Sequence, residues 1–150
     1  MSPDRSVPSR LPGSPEDWIA HAKSDLNMAI VARNHRTTEI LAEQICFHTQ
    51  QAAEKSLKAV LLYNSIGFRF QHDLAYLLGL LENANIPVPA DIADVESLTP
   101  YAVDFRYPPG AGEELTGADI DEAIDTATKT VAWAESIVIH PPQEPTLPTQ

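Results

Sequence analysis

The sequence predicts an all-α fold, an up-and-down antiparallel bundle of four long helices plus one short helix, on three observations. Apolar residues recur at three- and four-residue steps along most of the chain. No stretch alternates apolar and polar residues long enough for a half-buried strand. The periodic stretches are separated by short polar or proline-marked links, which favour antiparallel neighbours.

The first helix starts with a mechanism. Ser14 is a natural cap, Pro15 suits the first helical position, and Glu16 and Asp17 complement the positive end of the dipole. It runs to about Arg33 on Trp18, Ile19, Ala22, Leu26, Ala29 and Ile30, with His21, Lys23 and Asp25 expected mostly off that stripe. After the polar break Asn34 to Thr37, the second and longest helix is expected from about Thr38 to Tyr63, since neither proline nor glycine interrupts it. Its broad apolar arc carries Leu41, Ala42, Ile45, Cys46, Thr49, Ala52, Ala53, Ser56, Leu57 and Val60.

Two other sides of this helix are distinct. Gln44, His48, Gln51 and Lys55 stack along one line suited to meeting a phosphate or a base. Glu43, Phe47, Gln50, Glu54, Lys58 and Leu61 form a mostly polar side on which Phe47 and Leu61 are larger apolar groups than water tolerates well. A second helix or a second subunit is expected to cover them.

A third, leucine-rich helix is expected from about His72 to Asn83, and a short one over Asp91 to Ser97 before Pro100 interrupts it. A helical turn or two leads to Arg106-Tyr107-Pro108-Pro109, and a last helix spans about Ala118 to Ile139. The bundle is thus expected over residues 15–140, between a flexible leader at 1–14 and a proline-rich disordered tail at 141–150.

Composition narrows the function. A chain of 150 residues supports one domain with one core. The single Cys46 cannot form an internal disulfide, no apolar run approaches the about 18 to 20 residues of a membrane span, and the first residues lack a signal-peptide core. A cytoplasmic protein is the expectation. A net charge of -11 argues against a non-specific grip on nucleic acid, although eight of the ten Lys and Arg precede His72. The five histidines have no i, i+3 or i, i+4 pairing, and HExxH, CxxC and glycine-rich phosphate loops are absent, so neither a metal nor another cofactor is expected.

What remains is a polar constellation. His48, Gln51 and Lys55 share a stripe, His72 opens the next helix, where backbone N–H groups attract anions, and Arg106 with Tyr107 precedes a rigid turn. These are the candidate ligand-binding residues, with Phe47 and Leu61 as candidate dimer contacts.

Asp25-Leu26 on the first helix, Cys46-Phe47-His48-Thr49-Gln50-Gln51-Ala52-Ala53-Glu54-Lys55-Ser56-Leu57-Lys58-Ala59 on the second, His72-Asp73-Leu74 and Arg106-Tyr107-Pro108 occur in this order. The combination resembles the HEPN family, the higher eukaryotes and prokaryotes nucleotide-binding domain, over about Trp18 to Ile139. The resemblance implies a helical bundle that dimerises and binds nucleotides or RNA. It also implies a candidate partner, because many relatives sit beside a minimal nucleotidyltransferase in two-gene toxin–antitoxin modules. The ribonuclease branch carries an Arg-x4-6-His pair that cuts RNA without metal, and no arginine here has a histidine in that range. Binding is therefore the expectation. The alternatives are a metal-independent ribonuclease using His48 or His72 with Lys55 or Arg106, and a purely structural partner subunit.

Overall fold

The computed structural model describes residues 13–106 and 114–139, with the side chains of 103–106 outside the description. The described residues form five helical segments: α1 (Pro15–Asn34), α2 (Ala42–Tyr63), α3 (Leu74–Asn83), a 3₁₀ segment (Ala90–Arg106) and α4 (Gly117–Val138). The described residues contain no strand. The expected leader and tail fall almost wholly outside the described residues.

The termini show why the elements begin and end where they do. Ser14 and Thr116 each form a capping box, with Asp17 and Asp119 respectively, satisfying donors that the first turn leaves orphaned. Hydrogen bonds from the Thr116 backbone N–H and hydroxyl hold the Asp119 carboxyl below its ordinary value. α2 starts four residues later than expected. The Thr37 hydroxyl accepts from the Glu39 N–H and the Thr37 carbonyl from the Ile40 N–H, so this threonine builds a local turn before the helix. α2 and α3 end alike: Ser65 and Asn85 take φ of 58° and 60°. The Ile66 and Ile86 N–H groups reach back to the Leu61 and Leu81 carbonyls, a Schellman closure formed without glycine.

The segment expected as a short helix broken at Pro100 is instead one run of 3₁₀ turns that passes through this proline. Ile92, Val95 and Leu98 are buried at three-residue steps, the spacing at which side chains eclipse in a 3₁₀ helix. That spacing gives the tighter coil a core face that an α-helix would rotate away.

α2 occupies the centre, packing against all four other segments. Fourteen of its 22 residues are buried, far more than a one-sided amphipathic helix needs. α1 runs antiparallel to α2 and also to α4. Against α4 it is tied by Lys23 to Glu135 at 2.6 Å and by Arg33 to Asp121 at 2.8 Å. The Arg33 contact uses two guanidinium nitrogens, which holds the Asp121 carboxyl below and the guanidinium above their ordinary values. A Cβ at Gly117 would lie 3.0 Å from the same guanidinium, so glycine opens the space for this clamp.

Two side chains are more deeply buried than their sequence positions suggest. Asp25, expected mostly off the α1 core stripe, is only 8 % exposed and lies on that stripe with Ala22 and Ala29. Leu61 is fully buried in the core of its own chain, so its size needs no second subunit to cover it. Cys46 is buried too. No helix among the described residues is long and apolar enough to cross a membrane.

Candidate functional site

Two polar clusters flank α2, and each is built on one carboxylate. In the first, Asp25 of α1 faces His48 and Lys55 of α2. One carboxylate oxygen lies 3.1 Å from His48 Nδ1, and the other accepts from Lys55 Nζ at 2.6 Å. The seven-residue step from His48 to Lys55 is two helical turns, so both side chains lie on the face of α2 turned to α1 and reach Asp25 from either side. Placing a charge on an otherwise apolar stripe is costly unless it is paired. Here the pairing is double.

In the second cluster Glu54, 3 % exposed, is the hub. One oxygen lies 2.8 Å from His72 Nδ1 and accepts from Gln50 Nε2 at 3.0 Å, and the other accepts from Lys58 Nζ at 2.9 Å. Gln50 Nε2 also donates to the His72 carbonyl at 3.3 Å, and Gln51 Nε2 donates to Gln50 Oε1 at 2.6 Å. The Lys58 ammonium lies 5.4 to 5.5 Å from the ring centroids of Trp18, Phe68 and Phe70, within cation–π range. Gln50, Glu54 and Lys58, expected on a polar outer side, are therefore buried under the segment between α2 and α3.

His72 does not open a helix. Asp73 is the cap of α3, its carboxylate accepting from the Ala75 N–H at 3.0 Å. Held by Glu54, His72 precedes that cap in irregular chain, one residue outside the helix start. Its segment is anchored again at Arg69, whose backbone N–H donates to Tyr76 Oη at 2.9 Å. This bond holds the Tyr76 phenol below its ordinary value.

The expected site residues are thus drawn into two groups. His48 and Lys55 share Asp25, while Gln51 and His72 are linked through Gln50 and Glu54. Phe47 is half-buried, its ring edge-on to His48 at 5.7 Å. The Arg106 side chain and Tyr107 lie outside the described residues. Sequence reasoning missed Asp25 and Glu54 as organisers, and both left a signal. Asp25 is spaced three and four residues from Ala22 and Ala29, and Glu54 lies four residues from both Gln50 and Lys58.

The sequence profile of the HEPN domain matches residues 15–137. The chain belongs to the HEPN family. Its backbone is similar to the crystal structure of ST0689, an archaeal HEPN homologue, with a TM-score of 0.65 and 31 % identity over 84 % of this chain and 98 % of that one. It is also similar to the crystal structure of TT1696 from Thermus thermophilus, with a TM-score of 0.66 and 28 % identity over 81 % of this chain and 96 % of that one. A search of the curated proteins gave no match.

Five of the described cations of this HEPN domain are already engaged with carboxylates. Lys55 and Lys58 each bond a carboxylate of the bundle, Arg33 and Lys23 bond α4, and Lys129 bonds Asp125. An anion meets no bare charge at these five residues. It meets histidines that carboxylates have oriented. With Nδ1–H donated to a carboxylate, a neutral imidazole presents Nε2 as an acceptor, and a protonated one presents it as a donor. Neither His48 Nε2 nor His72 Nε2 has a hydrogen-bond partner among the described residues. Those residues contain no group of three or more His, Cys, Asp or Glu able to hold a metal.

Proposed function

We propose that this HEPN protein binds a nucleotide or a short unpaired RNA segment along the polar edge of α2, as a binding protein and not as a nuclease. The observation that carries this reading is the repeated arrangement in which one carboxylate holds one histidine and one lysine. Asp25 does so for His48 and Lys55, and Glu54 for His72 and Lys58. Such side chains are ordered before a ligand arrives, which lowers the entropy cost of binding. Lys55 donates one of its three hydrogens to Asp25, leaving two for a phosphate or a base edge. Gln51 joins the second cluster through Gln50, and Arg106 with Tyr107 adds a bidentate phosphate donor and a stacking ring from the sequence.

The acidic balance of the chain and its paired lysines fit selective recognition and not a general grip on RNA backbone. The proposal extends to a homodimer with Phe47 at its contact, and to docking of a minimal nucleotidyltransferase in a toxin–antitoxin-like module. Leu61 drops out of that contact because it is already buried.

Lys55→Ala and Arg106→Ala are each expected to weaken nucleotide or RNA binding by about 10- to 100-fold, the size of a charge-assisted hydrogen bond. Titration calorimetry checks this. Unchanged affinity in both variants sinks the site assignment. One observation favours an enzyme as the second reading: a carboxylate-oriented His48 beside a lysine is an arrangement that serves general base catalysis. RNA kept with the protein and a chelator is expected to stay intact. Cleavage that disappears in His48→Ala would move the assignment to a ribonuclease.

A further inference from the structure

Phe70 is 82 % exposed, the most open of the large apolar side chains among the described residues. An exposed ring on a loose loop would mean little, but the chain on both sides of this one is pinned. Phe68 packs edge-on against Trp18 with centroids 6.3 Å apart. Arg69 bonds Tyr76 through its backbone and lays its guanidinium 5.1 Å from that ring. On the other side, the His72 carbonyl accepts from Gln50 and its ring is held by Glu54. The Phe70 ring itself has Lys58 at 5.5 Å and the His72 ring edge-on at 5.9 Å.

The surroundings of the ring decide what it suits. A hot spot for a protein partner is an aromatic group set within a desolvated apolar patch. Here the ring stands beside the Lys58 ammonium and the His72 imidazole, both bonded to Glu54, while the Arg69 guanidinium next in the chain lies over Tyr76. A flat π ligand carrying negative charge fits these neighbours better than an apolar side chain does. We infer that Phe70 is a stacking platform for one unpaired base of a nucleic-acid strand, with the neighbouring His72 ring available to the adjoining phosphate.

This assignment rests on the binding reading above and adds to it a ring outside the residues that the sequence singles out. It also favours a single strand as the ligand, because a base inside a duplex presents no face to stack on.

The test compares a short single-stranded oligoadenylate with an abasic ribose-phosphate strand of equal length, binding each to the full chain and to Phe70→Ala and Phe70→Trp. The wild-type protein is expected to prefer the strand with bases. Phe70→Ala is expected to lose about 5- to 100-fold in affinity for it with little change toward the abasic strand, and Phe70→Trp to retain it. Because the ring is exposed, the thermal midpoint of Phe70→Ala should stay near that of the wild type. Wild-type binding that Phe70→Ala leaves unchanged, or equal loss for both strands, overturns the stacking role and leaves the ring to a protein contact. No binding of either strand by the wild type overturns the binding reading itself, and this assignment with it.

Discussion

Glu54→Ala is expected to destabilise the protein by about 3 to 5 kcal/mol, the usual consequence of removing one partner from a buried ion pair. Lys58 is 3 % exposed, so without Glu54 its ammonium stays buried with only aromatic faces beside it. His72 loses the carboxylate that holds its ring and Gln50 loses one of its two acceptors at the same time. Against a typical stability of about 5 to 15 kcal/mol this is a large fraction. Urea unfolding followed by circular dichroism measures it. The cause is separable from the loss of packing volume. Glu54→Leu combined with Lys58→Met removes both charges while keeping bulk, and is expected to cost much less than Glu54→Ala alone. A double variant as unstable as the single one would show that packing, and not the orphaned charge, dominates.

Leu61→Ala is expected to lower stability by about 2 to 5 kcal/mol, as truncation of a fully buried leucine does, without changing the mass in solution. The unchanged mass is the more informative outcome. A leucine lost from a dimer contact would shift the monomer–dimer balance. This leucine packs inside one chain, and its carbonyl also accepts from the Ile66 N–H to close the end of α2. Unfolding curves with light scattering report both quantities, and dissociation of the variant at unchanged stability would contradict the burial.

Much of this fold can be read from the sequence because its helices are marked locally. Ser14, Pro15 and Asp17 announce α1 by side-chain chemistry within one turn, and of the apolar spacing of α4, Ile120, Ala123, Ala127, Val131, Ala134 and Val138 are buried while Ile124 is only partly so. The differences arise where a contact distant in sequence decides the outcome. Gln50, Glu54 and Lys58 look like a solvated face until Phe68, Phe70 and His72 fold across them, a closure that helical periodicity does not encode. Asp25 looks misplaced on its stripe until His48 and Lys55 arrive from the neighbouring helix. Of the candidate site, the residue types on α2 were legible, whereas the carboxylates that orient them were not. The 3₁₀ segment had a signal of its own in the three-residue spacing of Ile92, Val95 and Leu98.

The central claim, that the carboxylate-held His48, Lys55 and His72 serve a ligand, is tested most directly by thermal unfolding of the purified protein against mononucleotides and short RNAs, with its mass determined alongside. A ligand that binds only the folded state raises the midpoint by mass action, by about 2.7 kcal/mol of stabilisation at a hundredfold excess over Kd. The expected result is a concentration-dependent rise with one nucleotide class or with unpaired RNA. A well-folded protein whose midpoint no nucleotide or RNA moves would contradict the claim and point to the α2 edge as a protein-docking surface.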